Sequence, residues 1–438
     1  MKNPTIVLLT MLLVIHTNTC LSQQPLPLNP GNWHVEDKDM QSRPLDISTL
    51  YGRECMHLPP GQVAYYKDSS LMNFRMEMDI AGIAMPGFGF RGRDKQNYEY
   101  IYLRVLSDNQ EDALQYLPVF NGGLSWQLYN YPVYEKKVSF PKKYVVSVAG
   151  NINDQDPQEE MIEELKRTLR SGGIQQSESV YINQTGPGLW KSIDPVNLSL
   201  HYLDQAADSM RIYNGLEWIH VKLKVKGCEA LFYVEDMDTP VMEIENLKQE
   251  QAPGLLSFRN IMVDSYFANI SIEKLENLAD ESEPEPLRPL PDFLSSWELS
   301  GKFSRDDKHL KEQIDSVMSN SDGWKQIHAQ EDGLINLSKY FDVTEGTAIL
   351  KTNIESRVDR PVKLLFDYSE SLTVMLNSKI VFSDSLRIRD NEGRVMDGEE
   401  EIALDLVRGT NELLFILTSD AYRQNWGMVA RIPGHSRP

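Results

Sequence analysis

Hydrophobic and polar residues alternate along most of this chain, which is the pattern of β-strands that bury one face. The segments FRMEMDI (74–80), EWIHVKLKVKG (217–227) and SYFANISIEKL (265–275) each contain apolar residues at every second position. The apolar face of the first segment begins at Phe74 and that of the second at Ile219, while charged residues take the opposite face. The alternation predicts short strands packed as a β-sandwich.

Residues from about 141 to 209 do not follow this rhythm. Within them, DPQEEMIEELKRTLRSGG (156–173) repeats apolar residues at helical spacing, with acidic residues early, basic residues late and a Gly pair at the end. This segment predicts one amphipathic helix. Because the strand rhythm resumes at Trp218, we interpret 141–209 as a partly helical insertion into the sandwich.

The segment LADESEPEPLRPLPD (278–292) is acidic and proline-rich, which predicts an extended linker. Alternating runs return beyond it, among them VKLLFDY (362–368) and NELLFILT (411–418). The sequence therefore predicts an all-β chain with a first sandwich at 45–276, a linker at 277–292 and a second sandwich at 293–438.

The first residues have the features of a secretory signal peptide. Lys2 precedes the apolar run IVLLTMLLVI (6–15), which is too short to span a bilayer, and small or polar residues follow it. We predict a signal peptide at 1–22, a mobile lead at 23–44, and a secreted or periplasmic mature protein. A lipid anchor at Cys20 is the alternative, although the residues before it fit a lipobox poorly. No other segment predicts a transmembrane helix.

The charge balance argues against nucleic acid as a partner. Lys and Arg total 44 against 64 for Asp and Glu, and a surface with a net charge of −20 repels phosphate backbones. After removal of a signal peptide only Cys55 and Cys228 remain, so the sequence predicts neither a disulfide framework nor a cysteine-rich metal site. A single bridge between them and two separate thiols are both open.

The segment NYEYIYLR (97–104) is the most informative strand. Alternation places four residues with polar groups on one face, namely Tyr98, Tyr100, Tyr102 and Arg104. Phenol rings can stack on flat apolar ligand faces, and phenols and a guanidinium donate hydrogen bonds, which is chemistry typical of sugar recognition. Packing of the tyrosines between sheets is the alternative, because tyrosine is enriched in ordinary strands.

Both predicted domains resemble known families. The first resembles the concanavalin A-like lectin and glucanase superfamily, in particular its laminin-G-like and glycoside hydrolase family 16-like modules, over most of 45–275. The segments that carry this resemblance are FGFRGRDKQNYEYIYLR, LQYLPVFNGGLSWQLY, EWIHVKLKVKG, PVMEIENLK and SYFANISI. The second, over about 297–435, resembles galactose-binding-like jelly rolls in GLINLSKYFDVTEGTAILKTNI, VMLNSKIVF, LVRGTNELLFIL and WGMVARI. Both resemblances imply β-sandwiches that act on or bind glycans.

Family 16 glycosidases carry a strand motif Glu-x-Asp-x-x-Glu, which supplies their nucleophile and their acid/base residue. Glu77 and Asp79 match its first two positions. The third position is Gly82, so the acid/base residue of the motif is missing. A solvated strand edge with Arg75 neutralising the two carboxylates is the structural interpretation of the same residues.

Glu99 and His220 are a further candidate acid/base pair. The alternation gives Glu99 the same parity as Ile101, which predicts that Glu99 is buried. A buried glutamate usually needs a partner, so a structural ion pair with Arg91, Lys222 or His220 is the alternative to a catalytic role. The catalytic candidates are therefore Glu77, Asp79, Glu99 and His220.

We expect a non-catalytic glycan-binding protein of a polysaccharide-utilisation type system, with an oligo- or polysaccharide as its ligand. The residues expected to bind it near one site are Tyr98, Tyr100, Tyr102, Arg104, Gln115, Asn121, Trp126, Trp218 and His220. The alternatives are an atypical glycoside hydrolase, family 16-like or keto-disaccharide hydrolase-like, and an adhesion or structural module that binds protein. No cofactor or metal is predicted, and structural calcium at loop oxygens stays open, near Asp94, Asn97, Asp108, Asn109 and Asp112.

Overall fold

A computed structural model describes residues 24–434, apart from 51, 83, 142–143, 150–180, 186–208, 215–216, 262–263, 276–290, 305–306, 321–322, 343, 385–392 and 420–424. The predicted signal peptide, the helix predicted at 156–173 and most of the predicted linker lie outside the described residues. The described strands form four antiparallel sheets arranged as sandwiches, together with a small three-stranded sheet. The all-β fold class is therefore confirmed.

The strands of the chain up to residue 275, so far as it is described, alternate with short turns. They are β1 (Gln24–Pro25), β2 (Trp33–Glu36), β3 (Ser42–Arg43), β4 (Asp46–Leu50), β5 (Arg53–Leu58), β6 (Val63–Leu71), β7 (Phe74–Gly82), β8 (Pro86–Asp94), β9 (Asn97–Leu103), β10 (Leu114–Phe120), β11 (Gly123–Leu124), β12 (Glu135–Lys136), β13 (Tyr144–Ala149), β14 (Tyr181–Thr185), β15 (Ser209–Asn214), β16 (Ile219–Lys226), β17 (Glu229–Val234), β18 (Met242–Ile244), β19 (Gly254–Asn260) and β20 (Ser265–Lys274).

Most of these strands form the two sheets of a first sandwich. The eight-stranded sheet has the order β18-β17-β16-β7-β20-β5-β4, with β1 beside β20. The nine-stranded sheet has the order β11-β10-β9-β8-β19-β6-β2-β3, with β12 beside β10. Within the predicted insertion, β13 pairs in parallel with β14 and antiparallel with β15, so this segment contributes strands of its own.

The core of the first sandwich lies between the two sheets, and the predicted alternation holds. The inward residues of β7 and β16 are almost completely buried, namely Phe74, Met76, Met78, Ile80, Ile219, Val221, Leu223 and Val225. Burial of such side chains contributes about 1.5–3 kcal/mol each. The polar residues between them, including Asp79 and His220, therefore lie on the outer face of the eight-stranded sheet.

The segment expected to be a mobile lead, 23–44, supplies strands to both sheets in its described part. β1 pairs with β20, and β2 pairs with β6. Trp33 and Val35 of β2 are 3% and 2% exposed. The apolar side chains of β2 thus bury against the core, which alternation over four residues was too short to predict. The two described cysteines, Cys55 and Cys228, carry thiols and form no disulfide.

The second sandwich follows the predicted linker. Its described strands are β21 (Ser296–Leu299), β22 (Lys325–His328), β23 (Ile335–Asn336), β24 (Gly346–Ser356), β25 (Arg360–Tyr368), β26 (Ser371–Leu376), β27 (Lys379–Asp384), β28 (Glu400–Leu406), β29 (Gly409–Ser419) and β30 (Gly427–Arg431). They form a six-stranded sheet, β22-β21-β24-β29-β26-β27, and a four-stranded sheet, β23-β30-β25-β28. A separate apolar cluster around Trp297 and Phe415 is its core.

Helices are few in the described part of the chain. One α-helix, α1 (Leu310–Ser319), packs on the second sandwich, and 3₁₀ helices occur at Val105–Ser107, Asp307–His309 and Leu337–Lys339. None of the described helices has both the length and the apolar composition that crossing a bilayer requires.

The two sandwiches pack directly on each other through residues 125–134, the junction loop, which connects β11 to β12. Leu128 and Tyr134 of this loop belong to the same apolar cluster as Leu334, Val395 and Val429 of the second sandwich. The backbone N–H of Val395 donates to the carbonyl of Gln127 at 2.9 Å. Apolar packing and backbone hydrogen bonds therefore both hold the sandwiches together.

Candidate functional site

The tyrosine face of β9 is closed to solvent. Tyr98, Tyr100 and Tyr102 are 3%, 0% and 3% exposed, so the expectation that these rings form an open surface is wrong. Glycines of the neighbouring strand make room for them: a Cβ atom on Gly89 would lie 2.7 Å from Cδ2 of Tyr98, and one on Gly87 would lie 2.7 Å from the Tyr100 hydroxyl. The rings therefore lie across the backbone of β8. Burial raises the pKa of both Tyr98 and Tyr102 to about 12.

Arg104, at the end of this face, organises a buried hydrogen-bond network. Its two terminal nitrogens donate to Asp112 at 2.7 Å, to Glu135 at 3.2 Å, and to the Tyr102 hydroxyl and Gln115 Oε1 at 2.8 Å each. The amide of Gln115 donates in turn to two carbonyls of the junction loop, those of Trp126 and Tyr129, at 2.8 and 2.6 Å. The predicted residues Tyr102, Arg104, Gln115 and Trp126 thus lie together, and their hydrogen bonds hold the junction loop in place.

The second sandwich completes this network with Arg394. Its Nη2 atom donates to Glu135 at 3.1 Å and lies 3.4 Å from Asp112. The guanidinium carbons of Arg104 and Arg394 lie 5.7 and 5.5 Å from the ring centroid of Trp126, within cation–π distance. Glu135 is only 2% exposed and also accepts from the Tyr131 backbone N–H at 3.1 Å. A buried carboxylate with this many donors holds both sandwiches and the junction loop in fixed positions.

A cleft of about 540 Å³ opens beside this network, with walls from both sandwiches. Its lining residues are Asn109, Gln110, Glu111, Asp112, Asn130, Tyr131, Glu135, Lys137, Arg394 and Met396. Tyr131 is 42% exposed, which makes it an aromatic ring that a ligand can reach. We call this space the junction cleft. Amides, charged groups and an accessible ring in one concave site are the usual means of binding a small polar ligand.

Asn121 lies away from this cleft, at the turn between β10 and β11. Its side-chain N–H groups donate to the carbonyls of Ser338 and Phe341 at 2.8 and 3.3 Å. It has a φ of 50°, in the left-handed region that turns require. Asn121 therefore bonds one sandwich to the other and does not line the junction cleft.

A second polar group surrounds Asp79 on the outer face of the eight-stranded sheet. One carboxylate oxygen lies 2.7 Å from Nδ1 of His220, and the other accepts from Arg53 at 2.5 Å and from Asn269 at 2.6 Å. These side chains project from the adjacent strands β16, β7, β20 and β5. A bulge in β20 and a φ of 51° at Asn269 direct its amide toward Asp79. We call these four residues the Asp79 cluster.

Trp218 lies beside the Asp79 cluster but is 6% exposed, with the Arg53 guanidinium 5.4 Å from its ring centroid. Its indole face is thus covered, which differs from the expected stacking surface. The His220 side chain is 39% exposed. An exposed imidazole held by a buried carboxylate has the geometry of an oriented general base or of a hydrogen-bonding ligand contact. Glu77, on the same face, lies 3.6 Å from Arg75, which also pairs with Glu273 at 2.6 Å.

Glu99 does not meet His220. It is fully buried, as its parity predicted, and accepts hydrogen bonds from the Tyr116 hydroxyl and the Gln249 backbone N–H, both at 2.8 Å. Burial raises the pKa of Glu99, although these hydrogen bonds act in the opposite direction. Its partners are neutral groups, so Glu99 has neither the predicted ion pair nor contact with a cleft.

The loop residues considered for calcium mostly satisfy local backbone and side-chain donors. Asp94 accepts from the Gln96 N–H at 2.8 Å, and Asp108 from the Phe140 N–H at 2.8 Å. Within the described residues, no group of three or more His, Cys, Asp or Glu side chains is placed to hold a metal ion.

The sequence did not predict the residues that complete the junction cleft and the Asp79 cluster. Arg394, Glu135 and Tyr131 have no periodic signal, because they lie in loops or at a strand end. Arg53 and Asn269 lie on strands, but only the sheet order brings them beside Asp79. The nine predicted ligand residues therefore do not form one site: some support the junction cleft and two lie at the Asp79 cluster on the other sheet.

No protein-family model and no curated protein matches the chain. It is similar to solved structures of carbohydrate-related proteins. One is the carbohydrate binding module CBM66 from Bacillus subtilis, with 11% identity and a TM-score of 0.29, over 56% of this chain and 96% of that one. Another is a putative glycosyl hydrolase from Parabacteroides distasonis, with 9% identity and a TM-score of 0.27, over 56% and 89%.

The tandem CBM51 modules of a family 98 glycoside hydrolase from Streptococcus pneumoniae are similar over 94% of this chain and 92% of that one. Their identity is 7% and the TM-score is 0.14.

Proposed function

We propose that the chain is a non-catalytic carbohydrate-binding protein, secreted or periplasmic, whose ligand occupies the junction cleft. The observation that carries this proposal is the cleft itself: a concave space between two sandwiches, with an accessible tyrosine beside polar groups that a buried network holds rigid. Its volume falls within the range of about 300–1,000 Å³ that small-molecule sites occupy.

The residue types of the cleft suit a sugar. A pyranose presents C–H groups on its faces and hydroxyls around its edge, so it takes an aromatic ring against a face and planar polar groups along the edge. Tyr131 offers the ring, while Asn109, Gln110 and Asp112 offer amide and carboxylate groups. Arg104 donates to Asp112, and Glu135 accepts from the Tyr131 N–H, so these two cleft residues are already ordered and less entropy is lost on binding.

Binding to a panel of oligosaccharides tests this proposal, first on a glycan array and then by calorimetric titration. Replacing Tyr131 by Ala should weaken binding by about tenfold or more, since a stacked aromatic ring contributes about 1–2 kcal/mol. Val133→Ala is the matched control: Val133 is 50% exposed on the same loop and does not line the cleft, so its loss should leave affinity unchanged. Absence of any glycan ligand, or equal effects of the two variants, contradicts the proposal.

A second candidate function is glycoside hydrolysis at the Asp79 cluster. The observation that favours it is the exposed imidazole of His220, held 2.7 Å from a buried carboxylate. If this base acts on a sugar, release of reducing ends from oligosaccharides should fall by about a hundredfold or more in His220→Ala. Lys224→Ala, four residues further along the same face of β16, should retain full turnover. No turnover in the unaltered protein excludes this candidate.

A further inference from the structure

A second space at the contact of the two sandwiches has a different charge from the rest of the molecule. It measures about 520 Å³ and is separate from the junction cleft, with no lining residue in common. Its walls are the end of β8, the turn after β10 and residues 248–253 of the first sandwich, together with Lys339 of the second. We call it the basic pocket.

Four cationic residues line the basic pocket against one acidic residue. The cations are Arg91, Arg93, Lys248 and Lys339, and the acid is Glu250. The whole chain has a net charge of −20, so this is a local reversal of sign. A concave site with one sign of charge concentrates ligands of the other sign.

The four cations differ in their exposure and in the hydrogen bonds or ion pairs that they already make within the protein. Arg91 is 3% exposed and donates to the carbonyls of Met72 and Gly227 at 2.8 and 2.6 Å, so it acts as a fixed charge in the wall. Lys248 pairs with Glu331 of the second sandwich. Arg93 is largely exposed and lies 3.3 Å from Asp94.

Lys339 is the cation available to a ligand. Its Nζ atom lies 5.7 Å from the ring centroid of Phe120, and among the described residues no carboxylate lies within ion-pair distance of it. Desolvation and the nearby ammonium groups of Lys248 and Lys325 lower the pKa of Lys339, although the more distant carboxylate of Glu331 acts in the opposite direction. A bound anion would relieve this repulsion between like charges, which is a direct source of binding free energy.

The shape of the basic pocket is held independently of any ligand. Gln249 donates from its backbone to Glu99 at 2.8 Å and from its side chain to the Val119 carbonyl at 2.6 Å. Asn121 bonds to the carbonyls of Ser338 and Phe341, which fixes the chain on either side of Lys339. The charges therefore face a preformed space, and little ordering cost accompanies binding.

We propose that the basic pocket binds a small oxyanion-bearing molecule, a carboxylate or sulfate such as the acidic group of a charged saccharide. Lys339 and Arg93 make the direct contacts, and Arg91 and Lys248 supply the field behind them. This site does not depend on the junction cleft and stands whether or not a neutral glycan binds there.

The test uses the full mature chain and calorimetric titration with three probes: glucuronate, glucose 6-sulfate and glucose. The two acidic probes should bind and glucose should not, and their affinity should fall as NaCl is raised, because salt screens the attraction. Lys339→Gln should weaken the acidic probes by about tenfold or more, and Arg93→Gln by less. Lys224→Gln, an exposed lysine of the outer sheet face, makes the same change in net charge and should have no effect.

Three outcomes overturn the proposal. If glucose binds as well as glucuronate, the pocket does not select charge. If Lys224→Gln weakens binding as much as Lys339→Gln, the effect is one of net charge and not of this pocket. If neither acidic probe binds, there is no such site. Thermal unfolding of each variant shows that it is folded, and preference between the two acidic probes identifies the carboxylate or the sulfate as the natural group.

Discussion

Two buried carboxylates, Glu135 at the junction and Asp79 on the outer sheet face, do the same chemical task in different surroundings. Each collects three donors: Arg104, Arg394 and the Tyr131 N–H around Glu135, and Arg53, His220 and Asn269 around Asp79. The donors of Asp79 come from neighbouring strands of one sheet. Arg394, in contrast, lies 259 residues from Glu135 in sequence and belongs to the other sandwich.

A buried carboxylate that accepts several hydrogen bonds therefore has a different role at each of the two places. Around Asp79, Arg53 and His220 keep 44% and 39% of their side chains exposed, so the carboxylate orders groups that still face solvent. Around Glu135 the side chains of Arg104 and Arg394 keep only 8% and 15% of their surface exposed, and the carboxylate fixes the position of one sandwich on the other. Loss of Asp79 should mainly impair recognition or chemistry, whereas loss of Glu135 should mainly lower stability.

The largest expected effect is a difference in the free energy of unfolding between variants that lack Glu135 and variants that lack Asp79. Glu135→Ala should lower the free energy of unfolding by about 3–5 kcal/mol, because it removes the more deeply buried of the two carboxylates that Arg104 and Arg394 share and leaves them only Asp112. Asp79→Ala should cost about 1–3 kcal/mol, because water can replace the carboxylate at its half-exposed donors. Urea unfolding of both variants checks this order. Equal losses would mean that the junction is no more buried in solution than the open face.

A smaller effect tests whether the tyrosine face is closed. Gly89→Ala should cost about 1–3 kcal/mol, since the added Cβ would lie 2.7 Å from the Tyr98 ring and from Ser257 Oγ. Gly301→Ala is the control, because no atom lies within 4 Å of its Cβ position, and it should change stability by about 0.5 kcal/mol or less. Thermal unfolding measures both. If Gly89→Ala is tolerated as well as the control, the tyrosines can swing away and present a ligand surface.

The smallest effect concerns pH and Glu99, which lies on the face of β9 opposite the tyrosines. Burial raises the pKa of Glu99 above its ordinary value of 4.5, so its stabilising contribution is complete below that value and is lost as the pH rises through the folded-state pKa. Glu99→Gln removes this loss and can keep hydrogen bonds to Tyr116 and Gln249. The stability of the variant relative to the unaltered protein should therefore increase from pH 4 to pH 8 in urea unfolding. A relative stability that decreases over this range would place an ionised Glu99 in the core.

Much of the fold could be predicted from the sequence because alternation is a local property. The inward faces of β7 and β16, the burial of Glu99 and the all-β class all follow from parity along single strands. The strands at 24–43 could not be predicted in this way, because β1 and β3 have two residues each and show no period.

The candidate sites could be predicted only in part. Asp79 and His220 were named from their strands, and antiparallel register places them opposite one another. Arg53 and Asn269 needed the order of the strands in the sheet, and Tyr131 and Arg394 needed the packing of two domains. None of these distances is encoded within a window of ten or twenty residues.

By itself, the sequence determined which side chains share a face of each strand, since successive side chains of a strand point to opposite sides. Only the tertiary structure decided which faces reach solvent. The tyrosines of β9 and the polar residues of β7 have the same alternation, yet the former are buried and part of the latter is exposed. Exposure depends on what packs against a face, and for Arg104 this includes a residue from the other sandwich.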